Sequence, residues 1–421
     1  MKKFLAALAL LVFTNTVFSQ TTEDFDAIVK RFQRYYNEQK GDSIYYNMFS
    51  EKLQASVSVN RTVAKFRQYY STYGPMQWFQ YNIAKEGQIF YITVHNNSAT
   101  LSLMMSFDYY NRLKTIRLTP VTVESTVKHT ANFFLPTATS NIYGVLTEPA
   151  ALRKVPVILI IPEAGPTDRN GNSYSGTNSN NYKIIADSLL KAGYGCLRYD
   201  KRGIGESIAV VTNEDSVTFD DMVNDAARLV KMLKSHWHFS KVILLGHGEG
   251  SLIGMRVAQI EKVGGFISVE GTAQREDKVI IAETRKQSKK LSKQVKTVFD
   301  SLMAGYTVNT ADSAVNSICP GSQQEYFRSW LKYTPADEIK KLNIPVLILH
   351  GSTDLLVAEK EATKLKKAKE DATLTIIEGM NYMLKEAPAD EAKNIATYAN
   401  PDLPLCPGLM PAVLQFVRER K

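Results

Sequence analysis

The sequence predicts a doubly wound, mostly parallel α/β domain with a helical insertion, preceded by a small α+β domain. In the second part of the chain, buried strands alternate with amphipathic helices, the pattern of a parallel sheet covered on both faces. In the first part, helices precede a run of short aromatic and β-branched strands, which indicates helices packed on an antiparallel sheet. The 421 residues also exceed the about 100 to 200 residues of an ordinary domain, so two domains are expected.

Residues 1–19 have the pattern of a secretory signal peptide. Two lysines precede an apolar run from Phe4 to Phe13, and Val17 and Ser19 hold the cleavage positions. We therefore expect a mature chain beginning near Gln20 and a periplasmic or secreted location. No later stretch approaches the about 18 consecutive apolar residues of a membrane span, so no transmembrane segment is expected. The formal net charge of +9 is moderate and calls for no nucleic-acid partner.

Residues 20–118 form the predicted α+β domain. Apolar side chains recur at helical spacing from Thr22 to Asn37, and a second helix is expected over Thr62 to Tyr70. Short turns separate four strand-like runs, which are Met76 to Ala84, Gln88 to His95, Ala99 to Phe107 and Leu113 to Leu118.

Residues 121–421 form the predicted α/β domain. It opens with a hairpin over 131–147, and a capping box at Thr218 and Asp221 starts one of its helices. A helical insertion at about 274–341 is of the kind that covers a pocket. The other expected strands and helices are Val157 to Ile161, Tyr182 to Ala192, Gly195 to Tyr199, Val242 to Leu245, Gly264 to Val269, Ile344 to His350 and Leu374 to Ile377.

The stretch Lys241 to Ser251 carries the most informative motif of the domain. An apolar strand runs into a turn in which Gly246 and Gly250 have the spacing of a nucleophile elbow. In an active enzyme the middle position of this turn presents a nucleophilic side chain to the substrate. Here the middle position is Gly248, which has no side chain.

Two loops extend the motif into a family resemblance. The segments Pro162-Glu-Ala-Gly-Pro-Thr-Asp-Arg-Asn-Gly-Asn172 and Asp200-Lys-Arg-Gly-Ile-Gly-Glu-Ser207 resemble those of exported bacterial α/β-hydrolases related to serine aminopeptidases and carboxylesterases. The resemblance covers roughly Val121 to Val417. It implies an α/β-hydrolase fold with a helical lid over the pocket. The N-terminal domain, in its order of elements and in Asp42 to Leu53, resembles the nuclear-transport-factor-2-like domains that precede some of these hydrolases.

The same resemblance assigns the catalytic positions. The nucleophile falls on Gly248, the histidine on Tyr382 and the acid on Asp354, so only the acid is retained. Ser-His-Asp chemistry needs the hydroxyl and the imidazole, while the carboxylate orients the imidazole. A tyrosine, with an ordinary pKa of about 10, is a poor substitute for histidine as a base near neutral pH. We therefore expect Tyr382 to donate a structural hydrogen bond to Asp354, in place of the histidine–carboxylate hydrogen bond of the active hydrolases.

Around these positions the resemblance implies an oxyanion hole and a pocket. The hole's backbone N–H groups would come from Ala164 and Glu249, and the pocket would include Glu163, His247 and Arg202. Glu163 stands where the family has glycine, and an inward carboxylate there repels a developing oxyanion.

Two functional hypotheses follow. In the first, the protein is a catalytically inactive homologue that binds a small acyl, ester or peptide ligand, or a partner. In the second, it hydrolyses esters, thioesters or peptides with a non-standard nucleophile or with water activated by Asp354, Glu163 or Glu249. No cofactor is expected, and no metal, because no His/Cys ligand spacing accompanies these carboxylates. The N-terminal domain is open to three interpretations: ligand binding, homo-oligomerisation, or aromatic residues that only fill its core.

Overall fold

The computed structural model describes residues 22–86, 89–96, 100–108, 110, 112–120, 130–149 and 154–420. The predicted signal peptide at 1–19 lies outside the described residues. The chain divides into two compact units, Met1–Ser125 and Thr126–Lys421. Within the described ranges, none of the helices combines the length and the apolar character that a membrane span requires.

The described residues of the first unit form four helices and a four-stranded antiparallel sheet. In chain order the elements are α1 (Thr22–Asn37), α2 (Gly41–Met48), α3 (Glu51–Ser56), α4 (Val59–Tyr73), β1 (Met76–Glu86), β2 (Ile89–Asn96), β3 (Thr100–Phe107) and β4 (Leu113–Pro120). The sequence pattern did not predict α2 and α3, because helices of 8 and 6 residues contain too few turns to establish a period.

Aromatic side chains fill the helical side of this unit's core. Phe32, Tyr36 and Phe66 are all buried, and the Phe66 ring packs edge-on against the other two at centroid distances of 5.7 and 6.4 Å. Such edge-to-face packing adds to the hydrophobic gain from burying the rings. These side chains therefore have a structural role, whereas the proposed likeness to nuclear-transport-factor-2-like domains stays a prediction.

The second unit is built on an eight-stranded sheet. Its strands are β5 (Thr130–Pro136), β6 (Asn141–Thr147), β7 (Val155–Ile161), β8 (Gly195–Tyr199), β9 (Phe239–His247), β10 (Gly265–Val269), β11 (Val346–Gly351) and β12 (Thr373–Ile377). Their spatial order is β12-β11-β10-β9-β7-β8-β6-β5, in which β12 to β8 are parallel and the β5–β6 hairpin is antiparallel. The predicted doubly wound, mostly parallel α/β class is confirmed.

Helices cover both faces of this sheet. They are α5 (Asn181–Lys191), α6 (Phe219–Ser235), α7 (Glu249–Ile260), α8 (Glu276–Gln287), α9 (Lys289–Met303), α10 (Ser313–Ile318), α11 (Gln324–Trp330), α12 (Pro335–Lys340), α13 (Lys360–Ala368), α14 (Glu391–Ala396) and α15 (Leu409–Arg418). Alternate residues of β7 belong to two separate apolar clusters, one shared with α6, α7 and the insertion, and the other with α5 and α15. Helices α8 to α12 lie in the insertion between β10 and β11.

Local signals in the sequence explain where several of these elements begin. Thr218 and Asp221 form the predicted capping box at the start of α6, each side chain bonding the other residue's backbone N–H. The parallel strands then bring the ends of β7, β9, β10 and β11 to one edge of the sheet, where open α/β sheets bind ligands.

Candidate functional site

The glycine-spaced turn lies between β9 and α7. Gly248 is the one residue between them, and its φ of +53° lies in the left-handed region that favours glycine. Close packing requires the two outer glycines. A Cβ on Gly246 would lie 2.1 Å from the Gly250 carbonyl oxygen, and a Cβ on Gly250 would lie 2.2 Å from that of Ile161. The turn has the sharp strand-to-helix geometry of a nucleophile elbow but carries no nucleophile.

Tyr382 fills the space beside Gly248. A Cβ built on Gly248 would lie 2.2 Å from the Tyr382 hydroxyl oxygen and 3.4 Å from Glu163 Cβ. The first distance is far shorter than a van der Waals contact, so the present Tyr382 position is compatible only with glycine at 248. The substitutions at the nucleophile and histidine positions are therefore sterically linked.

The Tyr382 hydroxyl is hydrogen-bonded to the Glu163 carboxylate. The expected hydrogen bond from Tyr382 to Asp354 is wrong, because the Asp354 carboxyl faces Glu270 on another loop. Burial, followed by the negative charge of Glu163, raises the pKa of Tyr382 well above its ordinary value of 10. The phenol is consequently neutral at physiological pH.

A double-mutant cycle tests this pairing. Tyr382→Phe should reduce the free energy of unfolding by about 1 to 3 kcal/mol, because it removes a donor from a buried carboxylate that then keeps only the long hydrogen bond from Thr167. Urea unfolding of Tyr382→Phe, Glu163→Ala and the double variant should give a coupling energy above about 0.5 kcal/mol. The matched cycle with Asp354→Asn should be additive. Coupling to Asp354 and none to Glu163 would show that the pairing is assigned to the wrong carboxylate.

Glu163 has a strongly perturbed acidity. Burial raises its pKa from 4.5 to about 7, against the opposing effects of the Tyr382 hydrogen bond, the Lys201 charge and the Thr167 hydrogen bond, while Glu249 raises it further. The Glu163 side chain points inward towards Tyr382. This orientation is unfavourable for an oxyanion hole, because the carboxylate repels a developing oxyanion.

The raised pKa predicts a pH-dependent stability. The folded state holds the Glu163 proton more tightly than the unfolded state, so this contribution is fully present below pH 4.5 and is lost as pH rises through about 7. The loss amounts to about 3 kcal/mol. Urea unfolding at pH 5 and pH 8 should show a smaller decline for Glu163→Gln than for the wild type. Equal declines in the two proteins would contradict the assignment.

His247 has no free nitrogen for catalysis. Its Nε2 donates to the Tyr382 carbonyl oxygen at 3.0 Å, and its Nδ1 accepts from the Tyr182 hydroxyl at 2.8 Å. Tyr182 in turn accepts from the Glu163 backbone N–H at 3.0 Å. Burial lowers the pKa of His247 to about 4. This histidine is a neutral structural link between β9, α5 and the Tyr382 loop.

The two predicted oxyanion-hole residues follow neighbouring parallel strands. Ala164 lies in the exposed loop after β7, and Glu249 is the first residue of α7, where backbone N–H groups have no partner inside the helix. The Glu249 carboxylate forms a buried salt bridge of 3.0 Å with Lys201 and accepts a hydrogen bond from Tyr326 of α11. The elbow is thus tied directly to the insertion.

Arg202 does not take the predicted place in the pocket. Its guanidinium binds Asp225 of α6 through two hydrogen bonds of 2.8 and 2.9 Å. Such a bidentate pair fixes the side chain on α6. The preceding residue, Lys201, is the one that reaches the elbow: its Nζ also donates to the Glu163 carbonyl oxygen.

Asp354 belongs to a second group of side chains. Its Oδ1 accepts the backbone N–H groups of Leu356 and Val357 at 2.6 and 3.0 Å, and it lies beside Glu270. His350 Nδ1 lies 2.8 Å from Glu270 Oε2. Burial, together with the nearby Glu270, raises the pKa of Asp354 to about 8, and burial raises the pKa of Glu270 to about 8 against the opposing effect of its hydrogen bonds to Asp354 and to the Gly351 N–H. The retained acid is therefore paired within this group and not with Tyr382.

A cavity of about 480 Å³ lies in the insertion, among the described residues of α8, α9 and α10. Its wall is largely apolar, with Glu276 and Glu283 among the polar side chains. Burial, followed by the charge of Glu249, raises the pKa of Glu276 to about 8. Glu276 therefore lies between the lid cavity and the elbow region.

Sequence reasoning missed Lys201 and Glu270 as parts of these two groups. Lys201 directly precedes Arg202, the residue that the sequence predicted for the pocket. Both are cations in one loop of charged residues, and nothing in the sequence distinguishes them. Glu270 follows β10 with a φ of +50°, an uncommon conformation for a residue other than glycine. A charged residue directly after a buried strand was the available signal.

Comparison with known proteins agrees with this architecture. Residues 175–326, less than half of the chain, match the family described as serine aminopeptidase S33. The chain is 25% identical over 246 residues to Esterase EstD of Thermotoga maritima, an alignment covering 57% of this chain and 57% of the esterase. It is 23% identical over 240 residues to non-heme chloroperoxidase CPO-A1 of Kitasatospora aureofaciens, covering 49% of this chain and 81% of that protein. Est1E from Butyrivibrio proteoclasticus is a structural match with a TM-score of 0.44, 16% identity and coverage of 69% of this chain and 98% of that chain.

The observed sheet topology and the family match define the class of the second unit. It has the α/β-hydrolase fold, with a mostly parallel sheet, a strand-to-helix elbow after β9 and a helical insertion after β10. The predicted fold is confirmed at this level. Its similarity is to esterases and non-heme haloperoxidases of that fold.

Proposed function

We propose that this protein is a catalytically inactive α/β-hydrolase homologue that binds a ligand or a partner without turning it over. One observation carries the proposal: the Tyr382 hydroxyl lies 2.2 Å from where a Cβ at position 248 would be. The space beside the elbow is therefore filled by a neutral phenol, in the region where an active relative has its nucleophile.

The groups that remain near the elbow are poorly suited to replace the lost reaction. Both ring nitrogens of His247 are hydrogen-bonded, and Asp354 is paired with Glu270. Transfer of the Tyr382 proton to Glu163 runs from a pKa above 10 to one of about 7, which costs at least about 4 kcal/mol before any bond forms. The negative charge of an ionised Glu163 carboxylate would also destabilise an oxyanion that forms beside the elbow.

The insertion supports a binding role. Its helices remain attached to the elbow through Tyr326 and Glu249, and they line the open cavity described above. We propose a small acyl, ester or peptide ligand, by analogy with the hydrolases that the domain resembles. We further propose export to the periplasm or the medium, and self-association through the nuclear-transport-factor-2-like domain at 20–118.

Hydrolysis of a panel of short- and medium-chain aryl esters tests the proposed inactivity. The wild type should release no more product than a buffer blank supplemented with an equally purified unrelated protein. The proposal would be contradicted if the wild type turned esters over above that level and a variant with a substitution in the elbow region did not.

A second candidate function is favoured by the same geometry. The Tyr382 hydroxyl lies near the vacant nucleophile position with a carboxylate beside it, so a tyrosine nucleophile with Glu163 as base would account for an active esterase. Tyr382→Phe separates the two candidates. It removes the hydroxyl and keeps the ring, so it would abolish a tyrosine-dependent activity, whereas an inactive protein has no activity to lose.

A further inference from the structure

Three side chains direct lone-pair atoms at one point where strands β10 and β11 end. His350 Nδ1, a carboxylate oxygen of Glu270 and a carboxylate oxygen of Asp354 all lie within 4.8 Å of one another. Glu270 and His350 are fully buried, and Asp354 is partly exposed. The group therefore combines a histidine with two carboxylates, and Asp354 is its most exposed member.

The remaining atoms of the three side chains are fixed by backbone hydrogen bonds. His350 Nε2 donates to the Val357 carbonyl oxygen at 3.0 Å, so the proton of the neutral ring is on Nε2 and the lone pair is on Nδ1. Glu270 Oε1 accepts the Gly351 N–H at 2.9 Å. Asp354 Oδ1 accepts two backbone N–H groups of its own loop. Each side chain is thus held so that its other acceptor atom faces the shared point.

Among the described residues, none of the atoms that face this point receives a hydrogen bond from a backbone, amide, hydroxyl or cationic donor, and Glu270 and Asp354 are hydrogen-bonded to each other only when one of the two carboxyl groups carries a proton. His350 Nδ1, Glu270 Oε2 and Asp354 Oδ2 are all buried and lack one, although the first two lie 2.8 Å apart. Two further buried hydroxyls have no hydrogen-bond partner among the described residues: Thr353 Oγ1, next to Asp354 in sequence, and Tyr398 Oη, which follows α14 and lies near the Asp354 and Glu270 carboxylates. Buried acceptors that converge without a donor are unfavourable unless a positive species lies between them.

We propose that Glu270, His350 and Asp354 form a binding site for a divalent transition metal ion of the Zn²⁺ class. An imidazole nitrogen and carboxylate oxygens are each ligands that Zn²⁺ accepts, and three protein ligands leave one position of a tetrahedral site for water. The hydrogen bond from Nε2 to a backbone carbonyl is the arrangement that orients metal-binding histidines. The three residues are other than Gly248 and Tyr382, although Asp354 is close enough to Tyr382 to affect its pKa, and the proposal does not depend on the proposed inactivity.

The site also accounts for the retention of Asp354 in a domain without its histidine partner. A carboxylate that binds a metal ion is needed whether or not the elbow is catalytic. The ligands come from positions 270, 350 and 354, so the site would join the end of β10 to the loop after β11.

Metal titration of the full-length protein tests the proposal. After dialysis against a chelator, the wild type should bind one equivalent of Zn²⁺ by calorimetry, and Co²⁺ in its place should give the visible absorption of a low-symmetry four-coordinate site. His350→Asn should weaken binding by at least about 10- to 100-fold, the loss typical even for a residue that only supports a ligand. The matched control His236→Asn, at the opposite end of β9, should bind as the wild type does.

The wild-type titration keeps the test independent of how the variants fold. If the wild type binds no metal, the proposal is wrong, and the three side chains share a proton instead. If His350→Asn binds Zn²⁺ and Co²⁺ as tightly as the wild type, the metal is held elsewhere and the proposal is equally wrong.

Discussion

Gly248→Ser in the wild-type background should destabilise the protein by about 3 kcal/mol. A Cβ at this position would lie 2.2 Å from the Tyr382 hydroxyl oxygen, and overpacking of a filled core costs about 1 to 3 kcal/mol. The positive φ of +53° adds about 1 to 2 kcal/mol for any residue other than glycine. Tyr382 is held by Glu163 on one side and packs against His247 on the other, so it has little room to move.

Two matched variants separate the steric cost from the backbone cost. Gly305→Ser places a side chain at a φ of +90°, where no described atom lies within 4 Å of its Cβ. It should therefore lower the free energy of unfolding only by the cost of the positive φ. Adding Tyr382→His to Gly248→Ser should recover stability, because the phenol is removed. Urea unfolding measures all of these variants. Equal losses for Gly248→Ser and Gly305→Ser, with no recovery in the double variant, would show that Tyr382 does not fill the nucleophile space.

The same double variant should gain esterase activity. Gly248→Ser restores the nucleophile on a turn that keeps the elbow geometry, and Tyr382→His supplies a base near neutral pH. General-base catalysis alone contributes about 10²- to 10⁴-fold, so turnover should exceed that of the wild type by at least about 100-fold. Asp354 is engaged with Glu270, which should keep the gain below that of an active relative.

A third substitution should increase this gain. Glu163→Gly restores the residue that the resembling hydrolases have at this position and removes a carboxylate from beside the elbow. A negative charge near the developing oxyanion destabilises the transition state. The triple variant should therefore hydrolyse esters faster than the double variant. The matched variant Glu206→Gly removes a carboxylate that pairs with Arg169 near the same loops, and it should not increase the rate.

Local patterns in the sequence were sufficient for the sheet strands, for the start of α6 and for the elbow, but not for short helices such as α2 and α3. The capping box at Thr218, the apolar strands and the glycine spacing from Gly246 to Gly250 each act over a few residues, and the structure contains all of them. The glycines persist without a nucleophile because backbone atoms of Gly250 and Ile161 leave no space for side chains. The motif therefore predicted the turn correctly and could not by itself predict an activity.

The pairing of side chains across the site could not be predicted in this way. Tyr382 was assigned to Asp354 because that is the partner of the residue it replaces, whereas the structure pairs it with Glu163, more than 200 residues earlier in the chain. Whether Lys201 or Arg202 reaches the elbow likewise depends on the conformation of the loop from Asp200 to Ser207. Both outcomes follow from tertiary geometry, which has no local signature in the sequence.

The grouping of Glu270 with His350 and Asp354 shows the same limit. The three residues come from the ends of two adjacent strands separated by an insertion of five helices in the described chain. Metal spacing rules apply to ligands that are close in sequence, and although Asp354 follows His350 by four residues, the third ligand, Glu270, lies 80 residues before His350. Only the pairing of β10 with β11 brings the three together.

Hydrolysis of the aryl-ester panel by the wild type, beside the Gly248→Ser/Tyr382→His variant, tests the central claim most directly. We expect a wild type indistinguishable from the blank and a variant that turns over, because the elbow is intact and only its reactive groups are replaced. A wild type that hydrolyses these esters as fast as the variant, and loses that activity in Tyr382→Phe, would contradict the claim and identify Tyr382 as a nucleophile.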